Sequence, residues 1–135
     1  MAKIEWNEKL SVSILMFDTE HKKLISIINR LDDAMKQGKG NTLVSPILKE
    51  LINYTKTHFT HEERIMQQHK YPNIDVQIKE HKGFVDKITS MEKDFADGKA
   101  MLSLSLSNFV SSWIQNHIMK TDKAYTKFLN EKGVR

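Results

Sequence analysis

The sequence predicts an all-α protein: an antiparallel, up-down-up-down four-helix bundle with an N-terminal arm and a short C-terminal helix. Three observations carry that prediction. Apolar residues recur every three or four positions along four stretches, the period of a helix with one buried face. Breaker clusters, Gly38-Lys39-Gly40, Tyr71-Pro72-Asn73 and Asp97-Gly98, separate those stretches. No Val-, Ile- or Thr-rich strand run and no hairpin dipeptide occurs anywhere. Helices joined by loops this short pack against their sequence neighbours in alternating directions. At 135 residues the chain fits one domain with a real core.

Each element has its own reason. Residues 1–17 form an arm whose Ile4, Trp6, Leu10, Val12, Ile14, Leu15 and Phe17 are too apolar to stay in solvent, so the arm should pack across the body. The first helix is expected over about 18–37: Asp18 can cap it, and His21, Leu24, Ile25, Ile28, Leu31 and Met35 follow at helical spacing. Its stop is the glycine pair at 38 and 40. The second, about 42–69, starts from Asn41 or Thr42 and tolerates Pro46 near its start. Its apolar face runs Leu43, Ile47, Leu48, Leu51, Tyr54, His58 and Ile65.

The third helix, about 74–97, carries Ile78, His81, Phe84, Val85, Ile88, Met91 and Phe95 on one stripe. In the fourth, about 100–120, serines at 103, 105 and 107 alternate with leucine and briefly mimic a strand. From Leu106 the helical period takes over through Phe109, Val110, Trp113, Ile114, His117 and Ile118. Tyr125, Phe128 and Leu129 then mark a short helix over about 121–131.

Composition removes several functions. With no Cys, disulfides, thiolate zinc sites and iron–sulfur clusters are excluded, so any metal must be held by nitrogen and oxygen. The formal charge of +4 comes from 21 basic and 17 acidic residues intermixed along the chain, without the basic clustering that nucleic acid requires. No stretch approaches the roughly 20 apolar residues of a membrane span, and the first residues lack an apolar signal region. A cytoplasmic monomer is expected, one that needs a separate protein partner if it acts as a sensor.

The chemistry-bearing residues are histidines and carboxylates. His58 and Glu62, four apart, share one helix face and can reach a common point. In an antiparallel bundle His21 near the start of the first helix, His58 and Glu62 late in the second, His81 early in the third and His117 late in the fourth fall toward one end. Each also shares its stripe with apolar neighbours and so points inward. A buried histidine bonded to a backbone carbonyl is the commoner arrangement for any one of them. Four at one level on four helices favour a metal. The donor types suit iron, manganese or zinc, and two carboxylates, Glu62 and Asp122, suggest bridges between two ions. Asp122 lies about 140° from His117 on an ideal helix, so it reaches the site only where the helix widens or ends.

His21, His58-x-x-x-Glu62, His81, and Trp113-Ile114-x-x-His117-x-x-x-x-Asp122 resemble the ligand pattern of the hemerythrins, and Trp6, Phe59, Glu63, Met66 and Tyr71-Pro72 extend the likeness over nearly the whole chain. It looks most similar to the single-domain bacteriohemerythrins. The resemblance implies a non-haem centre of two iron ions with an oxo or hydroxo bridge, binding O₂ reversibly. It implies that Glu62 and Asp122 bridge, that His21 and His58 hold the iron with the open position, where O₂ binds as hydroperoxide, and that His81 and His117 hold the other. Leu24, Phe59, Trp113, Ile114 and Ile118 would line an apolar O₂ pocket, although core packing alone accounts for such stripes equally well.

One position departs from the pattern. The family has His-x-x-x-His on the third helix, and this chain has Gln77 in place of the first histidine. Gln77 offers an amide oxygen or leaves the position to water. His61 is expected to face solvent and His69 lies past the last inward turn, so neither replaces the missing imidazole. A weaker second iron follows, open to peroxide or nitric oxide. An oxidase or peroxidase and an iron buffer are the alternatives to an O₂ carrier, store or sensor. No paired Glu-x-x-His of the oxidase bundles occurs, and no enzyme activity is expected.

Overall fold

The computed structural model describes residues 4–37, 40–96 and 104–135. The described elements are a 3₁₀ turn at Glu8–Leu10, then α1 (Leu15–Lys36), α2 (Gly40–Gln68), α3 (Ile74–Ala96) and α4 (Leu104–Asn116). The last runs without a break into a π-helix, His117–Asp122, and then α5 (Lys123–Glu131). Packing α1 on α2, α2 on α3, α3 on α4 and α4 on α1 closes a four-helix bundle with no strand among the described residues. The stops at Gly38-Lys39 and Asp97-Gly98, and the start of the fourth helix near 100, lie outside the described residues.

The start of α1 differs from expectation in an informative way. Asp18 does not cap it; the helix begins three residues earlier, after an Ile14 whose backbone is extended and whose side chain gives no cap. Ser13 turns the chain with a left-handed φ of 56°. The Asp18 carboxylate instead accepts hydrogen bonds from Ser11 Oγ (2.6 Å) and Val12 N (2.8 Å), stapling the arm to the first turns of α1. Leu15, expected to pack with the arm, is 75% exposed because it falls on the outer side of that first turn. Pro46 lies in the second turn of α2, where the ladder forgoes one N–H.

The rest of the arm is well anchored. Ile4, Leu10, Val12, Ile14 and Phe17 are buried, and Ile4 exchanges two backbone hydrogen bonds with the Asn29 side chain. Thr126 and Asn130 of α5 donate to the carbonyls of Val12 and Ser13, so the last part of the arm and α5 are tied together. The core above them is aliphatic, from Leu24, Ile28, Leu31, Leu48, Leu51, Ile88 and Val110, each burial contributing roughly 2 kcal/mol. Ser107 of the apparent strand alternation faces inward from α4 and donates to Asp32 at 2.9 Å. No described helix is long and apolar enough to cross a membrane.

Candidate metal centre

Four helices deliver the polar side chains of the lower core. His21 comes from α1, His58 and Glu62 from successive turns of α2, Gln77 and His81 from successive turns of α3, and His117 and Asp122 from the π-helix. A π-helix turns less per residue than an α-helix, which returns Asp122 to the face of His117, and Asp122 Oδ1 stands 3.0 Å from His117 Nε2. All seven side chains are buried.

Their ring nitrogens and carboxylate oxygens converge. Glu62 Oε1 is 3.2 Å from His58 Nε2 and 3.4 Å from His81 Nε2, while Glu62 Oε2 is 3.4 Å from His21 Nε2. Asp122 offers its second oxygen to His21 Nε2 at 3.3 Å. Each carboxylate therefore faces histidines of both halves. Two overlapping groups result, His21–His58–Glu62 and Glu62–His81–His117–Asp122, each with all its donor atoms within 4.8 Å of one another.

Hydrogen bonding on the outer side decides which ring atoms face inward. Glu20 accepts from His58 Nδ1 (2.7 Å), Glu63 from His81 Nδ1 (2.8 Å) and Glu80 from His117 Nδ1 (2.8 Å). A carboxylate beside Nδ1 requires the proton there, which leaves the Nε2 lone pair for the interior, the tautomer a metal needs. His81 Nε2 and His117 Nε2 approach to 3.1 Å, an unfavourable contact for two lone pairs unless a cation lies between them. Six buried atoms of the cluster, His21 Nδ1 and Nε2, His58 Nε2, Glu62 Oε1, Gln77 Oε1 and Asp122 Oδ2, have no hydrogen-bond partner. Such atoms are costly unless something outside the chain satisfies them. The donor set and its orientation fit metal ions.

Electrostatics point the same way. With protons as the only cations, burial works against a charged His21, but the Asp122 and Glu62 carboxylates outweigh it and push the imidazole up to about 10. His117 rises to about 9 against the same desolvation, chiefly through Asp122. Burial raises Glu62, yet His58 and the neighbouring rings hold it well below the usual carboxylate range. The centre is built around positive charge. Tyr125, whose phenol is held protonated by burial and by Asp122 and Glu62, donates to Glu62 Oε2 at 2.6 Å from α5.

Apolar and aromatic groups enclose this polar set. Phe59 stacks on His81 with ring centroids 3.8 Å apart, and Trp113 stacks on His117 at 4.4 Å. Leu24, Ile114 and Ile118, each within one turn of a histidine, are fully buried; Trp113 is half-buried. His61 stays outside, its side chain 38% exposed and its Nδ1 2.6 Å from Glu20. His69 joins neither donor group. Sequence reasoning missed the outer carboxylates, although a signal was present. Glu20, Glu63 and Glu80 each adjoin a residue of the centre and clamp a histidine on the next helix.

A bundle that converges four imidazoles and two carboxylates, without thiolate, defines a non-haem metal-binding four-helix protein. The family model described as Hemerythrin HHE cation binding domain matches residues 12–129. The chain belongs to the hemerythrin family, non-haem di-iron proteins that bind oxygen. It is 31% identical over 125 residues to a bacteriohemerythrin of Pseudomonas aeruginosa, covering 93% of this chain and 80% of that protein. A bacteriohemerythrin of Methylococcus capsulatus is 30% identical over 126 residues, covering 93% and 95%. Myohemerythrin-1 of Phascolopsis gouldii is 31% identical over 121 residues, covering 89% of each chain. The crystal structure of a wild-type hemerythrin superposes with a TM-score of 0.87 at 30% identity, covering 93% of this chain and 97% of that one.

Proposed function

We propose that this chain binds O₂ reversibly at two irons, one held by His21 and His58 and the other by His81, His117 and the amide oxygen of Gln77. Glu62 and Asp122, whose oxygens face histidines of both halves, would be shared between the two ions. The observation that carries this reading is the pair of overlapping donor groups sharing Glu62, with three Nδ1 atoms already committed to outer carboxylates. The irons supply the electrons and the open position that O₂ requires.

The chain's own residues do the rest. Glu20, Glu63 and Glu80 fix ring orientation and tautomer, and the Tyr125 hydroxyl holds one oxygen of Glu62 in place. Leu24, Phe59, Ile114 and Ile118, with Trp113 at the edge, keep water and stray protons from the bound gas. Iron analysis combined with absorption spectra under alternating argon and air tests the reading. Two irons per chain and a charge-transfer band that appears and disappears over repeated cycles are expected. Iron loss on the first exposure to air, or turnover of an added reductant without a reversible band, would reject it.

A further inference from the structure

Gln77 does more than occupy the place of an imidazole. Its Nε2 donates to the Thr121 carbonyl at 3.0 Å and to Asp122 Oδ1 at 3.2 Å. Both neighbours are acceptors, so the amide cannot be turned around without setting oxygen against oxygen. Oε1 is thereby fixed as the remaining atom, buried and without a donor. Gln77 also lines an open recess of about 180 Å³, shared with Tyr71, Asn73, Val76, Lys120, Thr121 and Ala124. One side chain thus belongs both to the donor cluster, which its Nε2 reaches at Asp122, and to the lining of this recess.

We propose that this recess is a second ligand entrance, through which a small monoanion the size of azide, nitrite or formate passes Lys120 and displaces the Gln77 amide oxygen from the metal held by His81 and His117. The inference rests on the di-iron reading above. A neutral amide oxygen is a weaker donor than imidazole nitrogen, and the recess gives the displaced amide room to withdraw. Lys120 lines the recess, is exposed and forms no ion pair with a described carboxylate, so it offers an approaching anion a positive charge, which the Glu80 carboxylate bonded to Thr121 partly opposes. His21 and His58, across the centre, do not border this recess.

Azide titrated into the ferric, iron-loaded protein and followed by calorimetry and absorption counts the anions bound per chain. The native chain should bind two equivalents and Gln77→His one, with two irons retained in both. Ala124→Phe, which fills the mouth, and Lys120→Glu, which reverses its charge, should slow the second equivalent roughly tenfold and leave the first unchanged. A single equivalent in the native chain with two irons present overturns the inference alone. So does a second equivalent that survives in Gln77→His or ignores both mouth substitutions. Fewer than two irons in the native chain overturns the inference together with the reading beneath it.

Discussion

Two buried carboxylate sites lie at different levels of the same bundle, and the chain completes only one of them. Asp32 of α1, 1% exposed, accepts from Ser107 of α4 at 2.9 Å and pairs with Lys36, one turn along its own helix, at 2.9 Å. The site carries its own cation. Glu62 and Asp122, equally shielded from solvent, face four imidazoles, three of which, His58, His81 and His117, have their Nδ1 proton held by Glu20, Glu63 and Glu80, and no Lys or Arg reaches the two carboxylates among the described ion pairs. Equal burial with opposite provision of positive charge separates a structural carboxylate from one that waits for a metal.

The sharpest way to break the comparison is to delete one carboxylate from each site. Glu62→Ala removes the only residue common to both donor groups, so iron should fall from two per chain to nearly none, read by metal analysis after purification. Asp32→Ala should leave the iron count at two and cost about 1 to 3 kcal/mol of stability, because Ser107 loses its acceptor and Lys36 its buried partner. Equal iron loss in the two variants would show that the sites are not independent.

Removing the metal comes next in size. If protein atoms complete one site and metal completes the other, a chelator should destabilise the native chain by about 4 kcal/mol per ion bound a thousandfold above its dissociation constant. Asp32→Ala should lose the same increment, since its defect lies elsewhere. Denaturant titration of both chains with and without chelator measures the two differences. A smaller effect is expected at the outer carboxylates: Glu63→Gln and Glu80→Gln keep a hydrogen bond to His81 or His117 but weaken its pull on the ring proton. Iron affinity should drop by about 10- to 100-fold, measured by competition with a chelator of known strength.

The two sites were unequally legible in the sequence. Helical periodicity and the levels of His21, His58, His81 and His117 put the centre's residues together, and the count from His117 to Asp122 left a widened or an ended helix, of which the π-helix is the first. The start of α1 was hidden because Asp18 has two compatible uses, a cap or an arm staple, and only the position of Ser11 decides between them. Glu20, Glu63 and Glu80 read as surface acids because their partners sit on other helices. Asp32 and Ser107, 75 positions apart, gave no local signal at all.

The smallest expected effect concerns acid. Lys36 and Ser107 hold the Asp32 carboxyl below its ordinary 3.8, more than offsetting the upward push of burial. A carboxylate whose folded value is depressed contributes stability above its unfolded value and loses it as pH falls through the folded one. The metal-free native chain should therefore lose a small increment of stability below about pH 3.8 that Asp32→Asn does not lose, because the amide has no proton to gain. Comparing the two chains without metal cancels the other carboxylates, Glu62 and Asp122 included. Denaturant midpoints at successive pH values from 5 downward should converge as the native carboxyl protonates. Parallel curves would mean that Lys36, half-exposed, is too well screened by water to act as the built-in cation.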